Sequence, residues 1–490
     1  MWIVALLLML WPWGVEGWLL VQQQATPTAG LVERGNAIIR RGEPEVGESA
    51  TEPLKRATET ATRVTQKAQE AELPNGEQYV LWFGEITGSD SRPPEVRSEG
   101  RPHAIAALEE MRKQGVFDAV LEAGRAPRDV VWLIKEPGKQ FEQEVALGAL
   151  RQIVRANSAR QVLAAEAGDW DEYVSAVECT LVIGRLSGRS GAILNRLVGL
   201  AAVTMPLERV LVDIGTRDVP GEVLDRLSAV FERERMTPPD ATIDLIGVDL
   251  ELTAAQLFTD GPTGGRPIYS KFRMSFEFIR AIQRFLGEYE GSWFDWLPED
   301  AAWNLTGLVM ASRAETLRVL RHAYDEFRTN TALARPERRL RVKMPLPKGV
   351  RHTYTRILED LCFGAYEKWW DTEEATAFRL DGARLVLAVE RYRDRHAGQA
   401  PQRLEALVPE YVASLPRDPI SGKPLVYRVL DAAADPQGRS YVLYSVGGDG
   451  IDNGGEYDPM RNQSSLMGPA TASGHDYVFS VPPTWREEKR

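Results

Sequence analysis

Between residues 101 and 370 apolar positions recur every three to four residues with charged positions between them, the period of amphipathic helices. HAIAALEEMRKQGVFDAVLEAG (103–124) predicts a helix that stops at Gly124. Residues 141–186 predict a helical hairpin turning at AGDWD (167–171), where Asp169 or Asp171 caps the second helix. Further helices are expected over 191–204, 219–234, 251–259, 271–289, 300–325 and 350–370. Strand-like runs of β-branched and aromatic residues occur at EQYVLWFGEI (77–86), LVYRV (425–429) and SYVLYSV (440–446). Before the second of these, Leu385, Val386, Val389 and Tyr392 mark a helix that ends near Gly398. A short helix at LEALVPEYV (404–412) and a Pro/Gly turn at LPRDPISGKP (415–424) follow.

The first 21 residues break the pattern. MWIVALLLMLWPWGVEGWLLV carries one charge, Glu16, and the first basic residue is Arg34. About 20 apolar residues span a bilayer, and Trp11, Trp13 and Trp18 suit its interface. An uncleaved membrane anchor is preferred to a cleaved signal, because the basic start of a signal peptide is missing. Residues 22–75 then turn to Thr, Ala, Glu, Gln and Arg with too few large apolar residues to bury a face, and read as a polar stalk.

Composition narrows the chemistry. With 43% hydrophobic and 26% charged residues, 490 residues can build sizeable cores. A net charge of −11 works against nucleic acid as a partner. The two cysteines, Cys179 and Cys362, lie in apolar helical contexts and read as free buried thiols. The five histidines are scattered without HxH or HExxH spacing, and no CxxC is present, which argues against a structural zinc. GRLSGRSG (184–191) lacks the lysine of a phosphate loop and reads as a helix connection. Trp293, Phe294, Trp296 and Trp303 form an aromatic corner that reads first as helix packing. Its alternative is a groove of an envelope-polymer hydrolase, with Asp295 and Asp300 as acid and base if they face one cleft.

The densest chemistry follows the last strand. Glycines 447, 448, 450, 454 and 455 alternate with Asp449, Asp452, Asn453, Glu456 and Asp458. Ca²⁺ takes about six to eight oxygens, from carboxylates and carbonyls in flexible geometry, and glycine lets carbonyls turn inward. The expected ligands are Asp449, Asp452, Asn453 and Asp458; the spacing does not fit an EF-hand, and Asp418 reads as a turn former. The alternative is a solvated Asp/Gly turn.

The landmarks Tyr392-Arg393, Leu404 to Tyr411, Leu415-Pro416, Asp418-Pro419, Gly422, Pro424, Tyr427, Tyr444-Ser445 and Asp449-Gly450 run in the order found in one known family. Over residues 376–460 the chain resembles the globular part of the major pseudopilin of type II secretion systems. That resemblance implies an α+β module with a calcium-binding acidic loop, and it carries over to Asp449 directly and to Asp458 loosely. In the family this module follows the membrane helix directly, whereas residues 22–371 intervene here, so a borrowed module on a larger anchored protein is expected. The whole chain is thus expected to be mostly α: anchor (1–21), stalk (22–75), helical-hairpin domain (76–371) and pseudopilin-like α+β module (372–485). The function expected is an extracytoplasmic, non-enzymatic scaffold or binding protein of the bacterial cell envelope, with protein partners there.

Overall fold

The computed structural model describes residues 28–70, 83–87, 94–129, 131–134, 145–189, 193–235, 239–258, 265, 310–333, 352–419, 421–447, 450–457 and 476–483. They are mostly helical, with one small antiparallel sheet. Helices α1 (Ala29–Ile39), α2 (Thr51–Ala68), the single turn α3 (Gly84–Thr87), α4 (Pro94–Lys113) and α5 (Val116–Arg125) come first. They lead into α6 (Leu147–Ala167), α7 (Trp170–Gly188), α8 (Ile193–Thr216), α9 (Gly221–Arg233) and α10 (Asp240–Leu257). Then come α11 (Arg313–Thr331), the 43-residue α12 (Thr353–Arg395), a 3₁₀ turn (Leu404–Leu407), and strands β1 (Val426–Val429), β2 (Tyr441–Ser445) and β3 (Tyr477–Val478).

The expected α6–α7 hairpin forms where its local signals lie. Gly168 closes α6 at φ +68°, and the Asp169 side chain accepts the Glu172 N–H to cap α7. Helix α7 is apolar on nearly every side, as a helix at the centre of a core must be. Tyr173, Val174, Val177 and Leu181 face one core, shared with α8, α9 and α12, while Cys179, Val182 and Ile183 face another, shared with α2, α4, α5 and α6. Cys179 is a free buried thiol, and burial pushes its pKa up to about 12.

Several elements differ from the expectation. The helix expected over 191–204 continues to Thr216 through Pro206. Burying Leu207, Val210 and Leu211 contributes about 1.5–3 kcal/mol each, against about 3 kcal/mol for a proline within a helix. The pattern read at 103–124 is two helices, because Gly115 takes φ +71° between α4 and α5. The end of the expected strand 77–86 is the helical turn α3; its beginning, like the helix expected at 271–289, lies outside the described residues.

The polar stalk is corrected over its described helices. Leu54, Ala57, Ala61 and Val64 of α2 are buried against α4, α5 and α6, with Thr58, Thr60 and Thr65 buried beside them. Counting large apolar residues missed this face because alanine and threonine methyls let helices approach closely and fill the contact without bulk. α1 packs Ile39 on Leu245, Val248 and Leu252 of α10. Salt bridges Arg34–Glu251 and Arg41–Asp244 flank that contact. Residues 1–21, which carry the expected membrane segment, lie outside the described residues, and among the described ones no helix is long and apolar enough to cross a membrane.

The expected boundary at 371/372 is also corrected, for it falls inside α12. That helix serves two cores in turn: Phe363, Tyr366 and Trp369 pack with α10 and α11, whereas Phe378, Leu385 and Val389 pack with α8, α9 and the sheet. Tyr441, Leu443, Tyr477 and Phe479 belong to the same apolar cluster as Val177 of α7 and Leu224 of α9. Helical body and C-terminal module therefore share a core.

Candidate metal centre

The acidic loop grows out of the middle strand of the sheet. β1 and β2 pair antiparallel, with Val426 opposite Tyr444 and Val429 opposite Tyr441, and β3 pairs with the end of β2. Alternation along β2 sends Tyr441 and Leu443 to the large core and Val442 and Tyr444 to a smaller one with Val478. At the root of the loop Ser445 donates its hydroxyl to Asp418 Oδ2 at 2.8 Å, and the Gly447 N–H donates to Ser445 Oγ at 3.1 Å. Asp418 is buried, so it does more than shape its own turn: it ties the 415–424 turn to the start of the acidic loop.

Gly447, Gly450, Gly454 and Gly455 all take φ between +69° and +88°, so the loop turns through backbone that side-chain-bearing residues rarely adopt. At Gly455 space forbids anything larger, since a Cβ would stand 2.5 Å from the Tyr444 ring.

Two of the four expected ligands are described, Asp452 and Asn453; Asp449 and Asp458 lie outside the described residues. Asp452 Oδ1 accepts the Tyr444 hydroxyl at 2.8 Å and the Gly454 N–H at 2.9 Å. The Tyr444 hydroxyl first, and the Gly454 N–H second, hold its carboxyl below the usual aspartate value, so it is ionised at neutral pH. Asn453 donates its side-chain amide to the Ile451 carbonyl at 3.1 Å.

The returning half of the loop is held by protein groups. Asp476, buried just before β3, accepts the N–H groups of Asn453 and of Gly455, the latter at 2.7 Å. Arg428 donates to the Gly454 carbonyl, and Arg439 to the Gly455 carbonyl at 2.7 Å. Arg439 is itself gripped by both carboxylate oxygens of Asp435, which sets that acid below its ordinary range. Gln437 exchanges hydrogen bonds with both backbone groups of Tyr457.

These commitments decide where a hard cation fits. The carbonyls of Gly454 and Gly455 already accept from guanidinium groups and are not open to a cation, whereas the Asp452 carboxylate is ionised and exposed. Among the described residues no group of three or more His, Cys, Asp or Glu converges as a metal cage. Asp476 was missed from sequence: a lone Asp beyond the loop carries no local signal, and only strand pairing brings it under Gly455. The residues of the alternative groove, Trp293, Asp295, Trp296, Asp300 and Trp303, lie outside the described residues.

No family model matches the chain, no curated protein matches it, and no solved structure matches it.

Proposed function

We propose that the chain is a membrane-tethered, extracytoplasmic scaffold or binding protein whose C-terminal module takes up calcium at the acidic loop, in the manner of the pseudopilin module that its sequence resembles. One observation carries the reading. The loop leaves a helix-supported antiparallel sheet, its Gly454–Gly455 segment is fixed by Asp476, Arg428 and Arg439, and an ionised, exposed Asp452 stands just before it, three residues after Asp449 in the sequence. Acids placed this close repel one another until a cation joins them. Calcium modules outside the cell commonly bind at about 10⁻⁴–10⁻³ M, in reach of the calcium found there.

Thermal unfolding of the full chain, in millimolar calcium or in chelator, tests this. A cation bound only by the folded state adds roughly 2.7 kcal/mol when free calcium is a hundred times Kd. Calcium should raise the melting temperature of the parent and of Asp431→Asn, which changes an acid outside the loop, but not that of Asp449→Asn. Identical melting in the two buffers would sink the calcium reading.

The tether has its own test. The full chain should sediment with membranes and be released by detergent, not by salt. Recovery of a soluble chain beginning near Trp18 would show a cleaved signal instead.

A further inference from the structure

Where the helical body meets the sheet, packing leaves a cavity of about 140 Å³. One wall is apolar: Leu211 and Ile214 from α8, Val386 from α12, and Val481 and Pro483 from the segment after β3. The other is polar: Glu390 and Arg393 from α12, Arg439 and Tyr441 from the β1–β2 hairpin, and Ser480. Its volume is close to the roughly 150 Å³ of an apolar cavity that takes up benzene, so a ligand would be one ring or a chain of about six carbons. Small-molecule sites favour such junctions, mostly apolar with a few placed polar groups.

The hydrogen bonds decide the charge of that ligand. Glu390 already receives Arg393 Nη1 on both oxygens, at 2.9 and 2.7 Å, and the Tyr441 ring stands beside it in the cavity wall. A cationic ligand would therefore meet a carboxylate already satisfied. Arg439 is spent on Asp435 and the Gly455 carbonyl. Arg393 is different: beyond Glu390 it gives Nε to the Gly398 carbonyl, and no described hydrogen bond uses its Nη2. Ser480 is 5% exposed, and its oxygen accepts the Leu443 N–H at 3.0 Å, which leaves its hydroxyl proton to donate. The polar wall thus offers donors, one of them cationic, against an apolar wall.

We propose that this cavity is a binding site for a small monocarboxylate with an apolar tail, its head on Arg393 and Ser480 and its tail against Leu211, Ile214, Val386 and Val481. The site is independent of the calcium reading, and its test runs in chelator so that the two fail separately.

Full-length protein is titrated with sodium hexanoate, hexylamine and hexanol by calorimetry. Hexanoate should bind saturably and at least tenfold tighter than the other two. A hydrogen bond to a charged group is worth a factor of ten or more, so Arg393→Gln should weaken hexanoate about tenfold and leave hexanol unchanged. Ala432 lines the cavity and is exposed, so Ala432→Trp should block the cavity, abolish hexanoate binding and keep the parent melting temperature. Equal affinity for hexanol would reduce the cavity to an apolar void and overturn the proposal. Unchanged hexanoate binding by Ala432→Trp, or no saturable binding by the parent, would overturn it as well.

Discussion

Glu373→Ala should cost the protein about 3–5 kcal/mol, the range for removing one partner of a buried ion pair. Arg196 of α8 is 1% exposed, and its guanidinium joins that helix to two others. Nε and Nη2 lie on the two carboxylate oxygens of Glu373 in α12, the first at 2.8 Å, and Nη1 donates to the Gly188 carbonyl at the end of α7 at 2.7 Å. Without the carboxylate a cation stays buried in an apolar junction, and its desolvation cost is no longer offset. Replacing both partners, Arg196→Met with Glu373→Leu, should recover most of the loss, since an apolar pair of similar volume is often neutral or stabilising. Urea unfolding followed by circular dichroism reads both variants. A loss below about 1 kcal/mol for the single change would mean that the pair is solvated in solution and does not tie the three helices.

A loss of the same order should follow Phe479→Ala. Phe479 is fully buried and sits edge-on to Phe378 of α12, with ring centroids 5.3 Å apart, and to Tyr477 at 5.0 Å. Gly382 of α12 lies beneath it so closely that a Cβ there would stand 2.1 Å from the ring. Truncating a buried phenylalanine costs about 3–5 kcal/mol, because the cavity collapses only in part. Gly382→Ala attacks the same contact from the other side and should cost about 1–3 kcal/mol by overpacking. The form of the transition matters as much as its size. One apolar cluster runs from Ala164 through Leu224 and Val386 to Val481, so helical body and module should melt together, with the Phe479→Ala loss in a single transition. A separate early transition, with the helical signal intact, would show that the module folds alone and that residues 372–490 can be excised.

The elements legible in the sequence are those whose cause is local. The α6–α7 turn was readable because Gly168 and Asp169 close one helix and cap the next within two residues. The end of α12 was readable for the same reason: Ala397 and Gly398 take φ +51° and +80° just past Arg395. Strands β1 and β2 were readable because each is a short run of β-branched and aromatic residues, and their antiparallel pairing came only with the fold. The acidic loop was visible as composition, and its described glycines, 447, 450, 454 and 455, do take left-handed backbone.

Tertiary structure alone decided what depends on a distant surface. The face of α2 is buried because α4, α5 and α6 accept small methyl groups, and nothing within residues 51–68 states that acceptance. The continuity of α12 escaped a windowed reading because the helix turns one face to α10 and α11 and, further along, another to α8, α9 and the sheet, so its apolar stripe shifts midway. In the acidic loop the residue types raise the expectation of a bound cation. Which oxygens remain to meet one is decided by Asp476, Arg428 and Arg439, each brought in by strand pairing from elsewhere in the chain. A hydrogen bond satisfied from a distance removes a donor or acceptor that the local sequence still displays, and only folding reveals which groups are spent.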